Sequence, residues 1–279
     1  MELGSLIARF LEMHKQPRIG LALAGGSAYG LAHIGVLRFI EEIGLPVHVI
    51  AGTSAGAAAG AVWAGGVSSD QMYQVAKQAD WLFLAKPVAF KSGLMSSEGI
   101  ENWINRILGN ISFDDLRIKF AATACDFATG ELVVIDHGSV AHAVRISCNV
   151  PGIYLPVEYQ GRLLVDGGLV QNLPASVCQS LGAEYVIGVD LHANLASLRP
   201  RTVLKSLIHA THILQRQHER IQLQYVDAVI QPQLGKLNPF NFWPVDEYVD
   251  LGYKAALEAS GQLCKMLKAI LGEQGQMPS

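Results

Sequence analysis

Leu3, Leu6, Ile7, Phe10 and Leu11 recur at helical spacing, so the chain opens with an amphipathic helix that Pro17 closes. Its polar face sets Arg9, His14 and Lys15 against Glu2 and Glu12, too few cations for a membrane-surface helix. The apolar stripe is expected to pack on the rest of the protein or on a second subunit. From Arg18 the pattern becomes strand, glycine-rich loop, helix: residues 19–23 are an apolar run, 24–30 are mostly small, and 31–43 carry apolar residues at helical spacing up to Gly44 and Pro46. The unit repeats at once, with a strand over 47–51, a tight turn over 52–56 and a small-residue helix over 57–64. Two such units in succession predict a parallel α/β sheet.

Further strands are predicted over 119–124, 132–135, 162–165, 185–189 and 228–230, and helices over 97–108, 140–148, 174–181, 203–225 and 245–271. In the long helix 203–225, Leu204, Leu207, Thr211, Leu214, His218, Ile221 and Tyr225 alternate by three and four, marking one buried face or a seam between subunits. No Pro/Ser-rich linker and no repeat of domain scale interrupts the pattern, so residues 1–17 read as a helical extension and 18–279 as one domain.

Composition narrows the classes. With 279 residues, 50% hydrophobic and only 16% charged, the chain is globular. A net charge of −3 without any basic run argues against nucleic acid as a partner. A mean hydropathy of +0.27 means a large core or apolar surface kept for lipid or a partner. Cys125, Cys148, Cys178 and Cys264 are widely spaced without a CxxC pair and read as reduced thiols. Arg9 interrupts what would be the apolar part of a secretory signal, and the longest weakly polar run, 55–67, is too short to span a bilayer. A cytoplasmic protein is expected, with peripheral membrane contact open and a homo-oligomer possible.

The strongest local chemistry is Gly52-Thr53-Ser54-Ala55-Gly56, a G-x-S-x-G set after an apolar strand and before a helix, which is the context of a nucleophile elbow. Glycines at both ends let backbone pass close to a cramped, exposed serine, and the helix start favours a developing anion. Residues 24–30 (Ala-Gly-Gly-Ser-Ala-Tyr-Gly) form a second small-residue junction whose N–H groups could cradle a phosphate or an oxyanion. Gly30 is followed by Leu31-Ala32 rather than by Lys and Ser/Thr, and Ser27 breaks G-x-G-x-x-G, which favours the oxyanion reading. Asp166-Gly167-Gly168 follows the strand 162–165; Asp166 is either a base for Ser54 or the cap of a turn in which Gly167 supplies the positive φ.

Taken together, residues 20–37, 52–56 and 166–168, in that order and context, resemble the bacterial patatin-like phospholipase family, and the likeness extends through 121–130, through 143–156 with Ser147 and Pro151-Gly152, and through 166–174. It covers roughly residues 18–230. The resemblance implies a three-layer α/β/α fold with a mostly parallel central sheet, and a Ser–Asp dyad without catalytic histidine that hydrolyses carboxylic esters of lipids of phospholipid or lysophospholipid type. On this reading Ser54 is the nucleophile and Asp166 its base. Gly25, Gly26 and Ser27 line the oxyanion hole with Ala55 as a further donor, and Gly30, Gly52, Gly56, Gly167 and Gly168 are motif glycines. No metal or organic cofactor is implied. The first loop departs from the family pattern, a longer glycine run with an Arg before its last Gly, by having Ala24, Ser27 and Tyr29 at those places. That departure sustains an alternative: a patatin-fold protein that binds lipid or a partner with little turnover.

Other residues offer rival readings. His192, His209, His212 and His218 all follow Asp166 and could serve a Ser-His-Asp triad, whereas His33 reads as structural; His209 and His212 lack a third metal ligand at convincing spacing. A nucleotide-binding α/β domain lacks its phosphate-loop lysine. Apolar and basic residues over 81–97 could be a lid or an ordinary core loop, and Phe240, Phe242 and Trp243 are expected to pack in the core.

Overall fold

Strands β1 (Ile19–Leu23) and β2 (Val49–Thr53) lie side by side and parallel, Gly20 opposite Val49 and Leu23 opposite Gly52. The computed structural model describes residues 2–80, 86–87, 95–192 and 203–272. Beyond β1 come β9 (Tyr185–Val189) and β10 (Ala228–Ile230), and beyond β2 comes β5 (Lys119–Asp126), all parallel. Three strands added by antiparallel pairing complete this sheet among the described residues: β6 (Leu132–Ile135) and β8 (Arg162–Asp166) on β5, and β7 (Val157–Tyr159) on β8. A separate two-residue pair, β3 (Lys86–Pro87) and β4 (Met95–Ser96), holds the ends of a segment that lies outside the described residues, as does most of the 81–97 stretch.

The register of β5 positions the chemistry. Thr123 faces Thr53 of β2 on one edge and Val134 of β6 on the other, while the next residue, Ala124, faces Val133 of β6 and Asp166 of β8. β2 and β8 therefore share one edge of β5 and meet end to end, with the last residue of β2 and the last of β8 at adjacent positions of the same ruler.

Side-chain alternation along a strand assigns the layers. Helix α3 (Ala55–Ala64) presents Gly60 to Ile50 and Leu23, whereas Gly20, one residue out of phase with Leu21 and Leu23, faces Cys178 of α7 (Ala175–Ser180). α3 and α7 thus lie on opposite faces, giving the expected three layers. α6 (Val140–Ser147) joins α3 on its face, against β5 and β8. Helices α2 (Ala32–Ile43), α4 (Ser69–Gln78) and α5 (Glu98–Leu108) build around that layer, and α1 (Glu2–Leu11) buries Leu6, Ile7 and Phe10.

Several expectations are corrected. β2 starts and ends two residues later than read, so the strand runs into the motif itself. α4 was not anticipated, although Ser68 and Gln71 form a reciprocal capping box at its start. The helix expected over 245–271 is two, α9 (Val245–Glu258) and α10 (Ser260–Ile270), joined at Ala259; α1 packs on α10 and α2 on α9. Helix α8 (Val203–Gln222) does not bury the face marked by Leu214 and Ile221, which are 60% and 57% exposed. Its inward side is instead the polar line His212, Gln215, Glu219 and Gln222, four positions that repeat by three and four. No helix among the described residues is long and apolar enough to cross a membrane.

Candidate active site

Ser54 sits between β2 and α3 with φ +53° and ψ −122°, a conformation that costs a non-glycine residue about 1–3 kcal/mol and persists only where the surroundings over-determine it. They do. The Ser54 N–H donates to Ser147 Oγ at 2.8 Å, the Ser54 carbonyl accepts from Ala58 N in the first turn of α3, and Gly52 and Gly56 let the turn fold flat on itself and on Leu23. Gly30 lies against Ala55 so closely that a Cβ would overlap the Ala55 side chain. The side chain of Thr53, one residue before, hydrogen-bonds Thr123 Oγ1 at 2.6 Å and donates to the Gln171 carbonyl at 2.9 Å, tying the elbow to β5 and to the loop after β8. Ser147, from α6, is fully buried; nothing in its sequence surroundings marks it as the elbow's support.

Asp166 ends β8 beside the Ser54 hydroxyl, its N–H donating to Asn149 O and its Oδ1 accepting from Gly168 N at 2.7 Å. Gly167 packs on Thr123 and, against expectation, does not have a positive φ; Asp166 still caps its own turn and also faces the serine. Only 4% of Asp166 is exposed, and burial pushes its carboxyl up to about 6 while the Ser54 hydroxyl and the Gly168 N–H pull it back. The Cys148 thiol lies beside Ser54 and is pushed up by burial and by Asp166, so it stays protonated.

The loop before α2 supplies N–H groups. Gly26, Ser27 and Ala55 line the same cavity as Ser54, and their N–H groups donate to no described residue; that of Ala55 precedes the ladder of α3. Gly25 differs from expectation, because its N–H donates to Asn172 O at 3.2 Å and is spent on holding the loop. Ser27 has φ +52°, a position suited to glycine. Tyr29 is 2% exposed and donates to Leu237 O, so it points into the interior and not at substrate. His33 is fully buried, bonds Ala24 O at 2.8 Å and is depressed to about 4 by burial, which keeps it neutral and structural.

A cavity of about 660 Å³ runs past these groups. One side is apolar, from Ile34 of α2, Val62 of α3, Met72 of α4 and Trp103 of α5. The other is polar, from Asp166 and His192 at or just after strand ends, Asn172 of the loop after β8, and Thr211, His212 and Gln215 of α8. Phe240 and Trp243, 46% and 63% exposed, line it too and are a rim, not core.

Sequence reasoning missed the network behind the polar side. Asn172 clamps Gly25 from both directions, accepting its N–H and donating to its carbonyl, and is itself held by Glu219 and His192. His192 Nδ1 lies 2.8 Å from Glu219 Oε1, both residues nearly fully buried. His192 follows the C-terminal end of a parallel strand, where ligands of α/β sheets gather; that was the available signal. Asp190, His192 and Glu219 also bring potential metal-ligand atoms within 4.8 Å of one another, but Asp190 accepts from His192 N and Gln231 Nε2, and Glu219 from Asn172, so hydrogen bonds already account for the set.

The site thus sets a buried acid beside an elbow serine, on a mixed sheet between helix layers. The model of the patatin-like phospholipase family matches residues 21–178, more than half of the chain, and the chain belongs to that family. It is 36% identical over 183 residues to an uncharacterised NTE family protein of Mycobacterium tuberculosis, a match covering 64% of this chain and 51% of that protein. It is also 33% identical over 195 residues to the neuropathy target esterase sws of Drosophila melanogaster, covering 67% of this chain and 14% of that one. The chain thus spans about half the length of the mycobacterial relative. Among solved structures, VipD from Legionella pneumophila shares the fold, with a TM-score of 0.60, 14% identity, and coverage of 89% of this chain and 67% of that one.

Proposed function

We propose that this chain is a serine acyl hydrolase that cleaves carboxylic esters of lipids through an acyl-enzyme on Ser54, with Asp166 as base. The observation that carries the reading is the strained Ser54, its hydroxyl beside a buried carboxylate whose affinity for a proton has risen to about 6. A base with a pKa near the working pH is both ionised and able to take a proton, which an ordinary carboxylate does poorly.

Asp166 takes the Ser54 proton as Oγ attacks the ester carbonyl. The resulting oxyanion is held by the N–H groups of Gly26, Ser27 and Ala55. Collapse breaks the bond to the alcohol oxygen, which leaves with the proton from Asp166. Water then attacks the acyl-enzyme, giving its proton to Asp166, and Ser54 is released as the carboxylic acid departs. Phospholipids and lysophospholipids carry the required ester, as do neutral glycerides, and the apolar side of the cavity suits their acyl chains. The esterase named among the relatives supports the reaction class.

Labelling by a fluorophosphonate serine probe tests this. Wild type is expected to label, Ser54→Ala not at all, and Asp166→Asn at least a hundredfold more slowly. The rival reading, a lipid- or partner-binding protein with little turnover, is favoured by the committed Gly25 N–H and by Ser27 in the loop. Under it, well-folded wild type stays unlabelled.

A further inference from the structure

Among the described residues that line the cavity there is no Lys or Arg. The polar side holds instead Asn172, His192, Thr211, His212 and Gln215. His212 is depressed to about 4 by burial and by its histidine neighbours, so it adds no positive charge at neutral pH. Behind this wall stand Asp190 and Glu219, 4% and 3% exposed, two acids that both bond His192, at its backbone N–H and its Nδ1. Tyr29 fills the place of the family's loop Arg and is turned away into the interior.

Hydrogen counting fixes His192. Asn172 Nδ2 has two hydrogens and three atoms within reach: Gly25 O at 3.2 Å, Glu219 Oε1 at 2.6 Å and His192 Nδ1 at 3.0 Å. Glu219 can only accept when ionised, so the 2.8 Å contact from His192 requires an Nδ1–H. Asn172 then spends its hydrogens on Gly25 and Glu219. Nδ1 is thereby committed, and Nε2 has no described partner.

A phosphate in this half of the cavity would meet no Lys or Arg among the described residues and would have two buried acids behind it. A hydroxyl, which can both donate and accept, would meet the uncommitted His192 Nε2 and amide and hydroxyl side chains of the same versatility. We infer that the alcohol part of the substrate is an uncharged polyol, such as the glycerol of a monoacylglycerol, whose hydroxyl hydrogen-bonds His192 Nε2. The inference rests on the acyl-hydrolase reading and adds the class of alcohol.

The test compares 1-monooleoylglycerol with 1-oleoyl-lysophosphatidic acid in the same mixed micelles, with 4-nitrophenyl butyrate as a control for the acyl-transfer step. Wild type is expected to favour the glycerol ester by tenfold or more in kcat/KM. Gln215→Arg, which sets a cation at the polar end, is expected to move that ratio towards the phosphate ester by about tenfold. His192→Gln is expected to lower the ratio of glycerol ester to nitrophenyl ester, whereas a purely structural role would lower both alike. Equal rates or a preference for the phosphate ester, with the nitrophenyl ester turned over, overturn the inference and leave the hydrolase reading standing. Failure to hydrolyse any of the three overturns both.

Discussion

Replacing Asp166 with Asn should abolish activity and yet stabilise the protein. The carboxyl is pushed from its ordinary 3.8 to about 6 by burial. Between those values the folded chain keeps a proton that the unfolded chain has lost, so stability is full below the lower value and falls as pH rises through the upper one. Each unit is worth 1.36 kcal/mol, so the raised carboxyl costs the native state less than about 1 kcal/mol at pH 4, about 2 at pH 5 and about 3 at pH 7. An amide carries no charge to desolvate and can still accept the Gly168 N–H. Urea denaturation of wild type and Asp166→Asn at pH 4, 5, 6 and 7 should show an advantage for the variant that is small at pH 4 and approaches about 3 kcal/mol at pH 7. Fluorophosphonate labelling of wild type should rise over the same interval with a midpoint near 6, since only the ionised form is a base. An advantage that does not grow with pH, or a labelling midpoint near 4, would refute the reasoning.

Two further outcomes follow from the loop geometry. Ser27→Gly should stabilise the protein by about 1 kcal/mol, read by urea denaturation, because φ +52° suits glycine and strains serine. Asn172→Ala should cost about 2–3 kcal/mol by leaving Glu219 and the Gly25 carbonyl without this donor, and should lower kcat more than it raises KM, because the clamped loop carries the N–H groups proposed as oxyanion donors.

The framework was legible because it is local. β1, β6, β9 and β10 have the bounds that their apolar runs suggest, and the serine and the acid lie where two short motifs end two strands. β2 was misplaced because Val47 is apolar but belongs to the approach, while Gly52 and Thr53 look like turn and are strand. The wall behind the cavity was illegible for a different reason. Asn172, His192 and Glu219 come from a loop, a strand end and a helix, and each alone resembles an ordinary polar surface residue; only tertiary packing shows that they satisfy one another. In the same way the apolar line on α8 reads as a buried face or a subunit seam, and within the chain it is not the buried one: Glu219 and Gln222 claim the inward side because Asn172, Gln171 and Ser176 await them there.

Ser54 and Asp166 are 112 positions apart in the chain (166 − 54) and next to one another only because both strands are measured against β5. A ribosome that has delivered the serine has not yet delivered its partner, and a slip of one residue in β8 would turn the acid to the opposite face. With Asp166 as the base proposed above, the growing polypeptide is chemically silent: the ester-cutting capacity of that proposal switches on in one step, when β8 docks, and does not leak from a half-built chain.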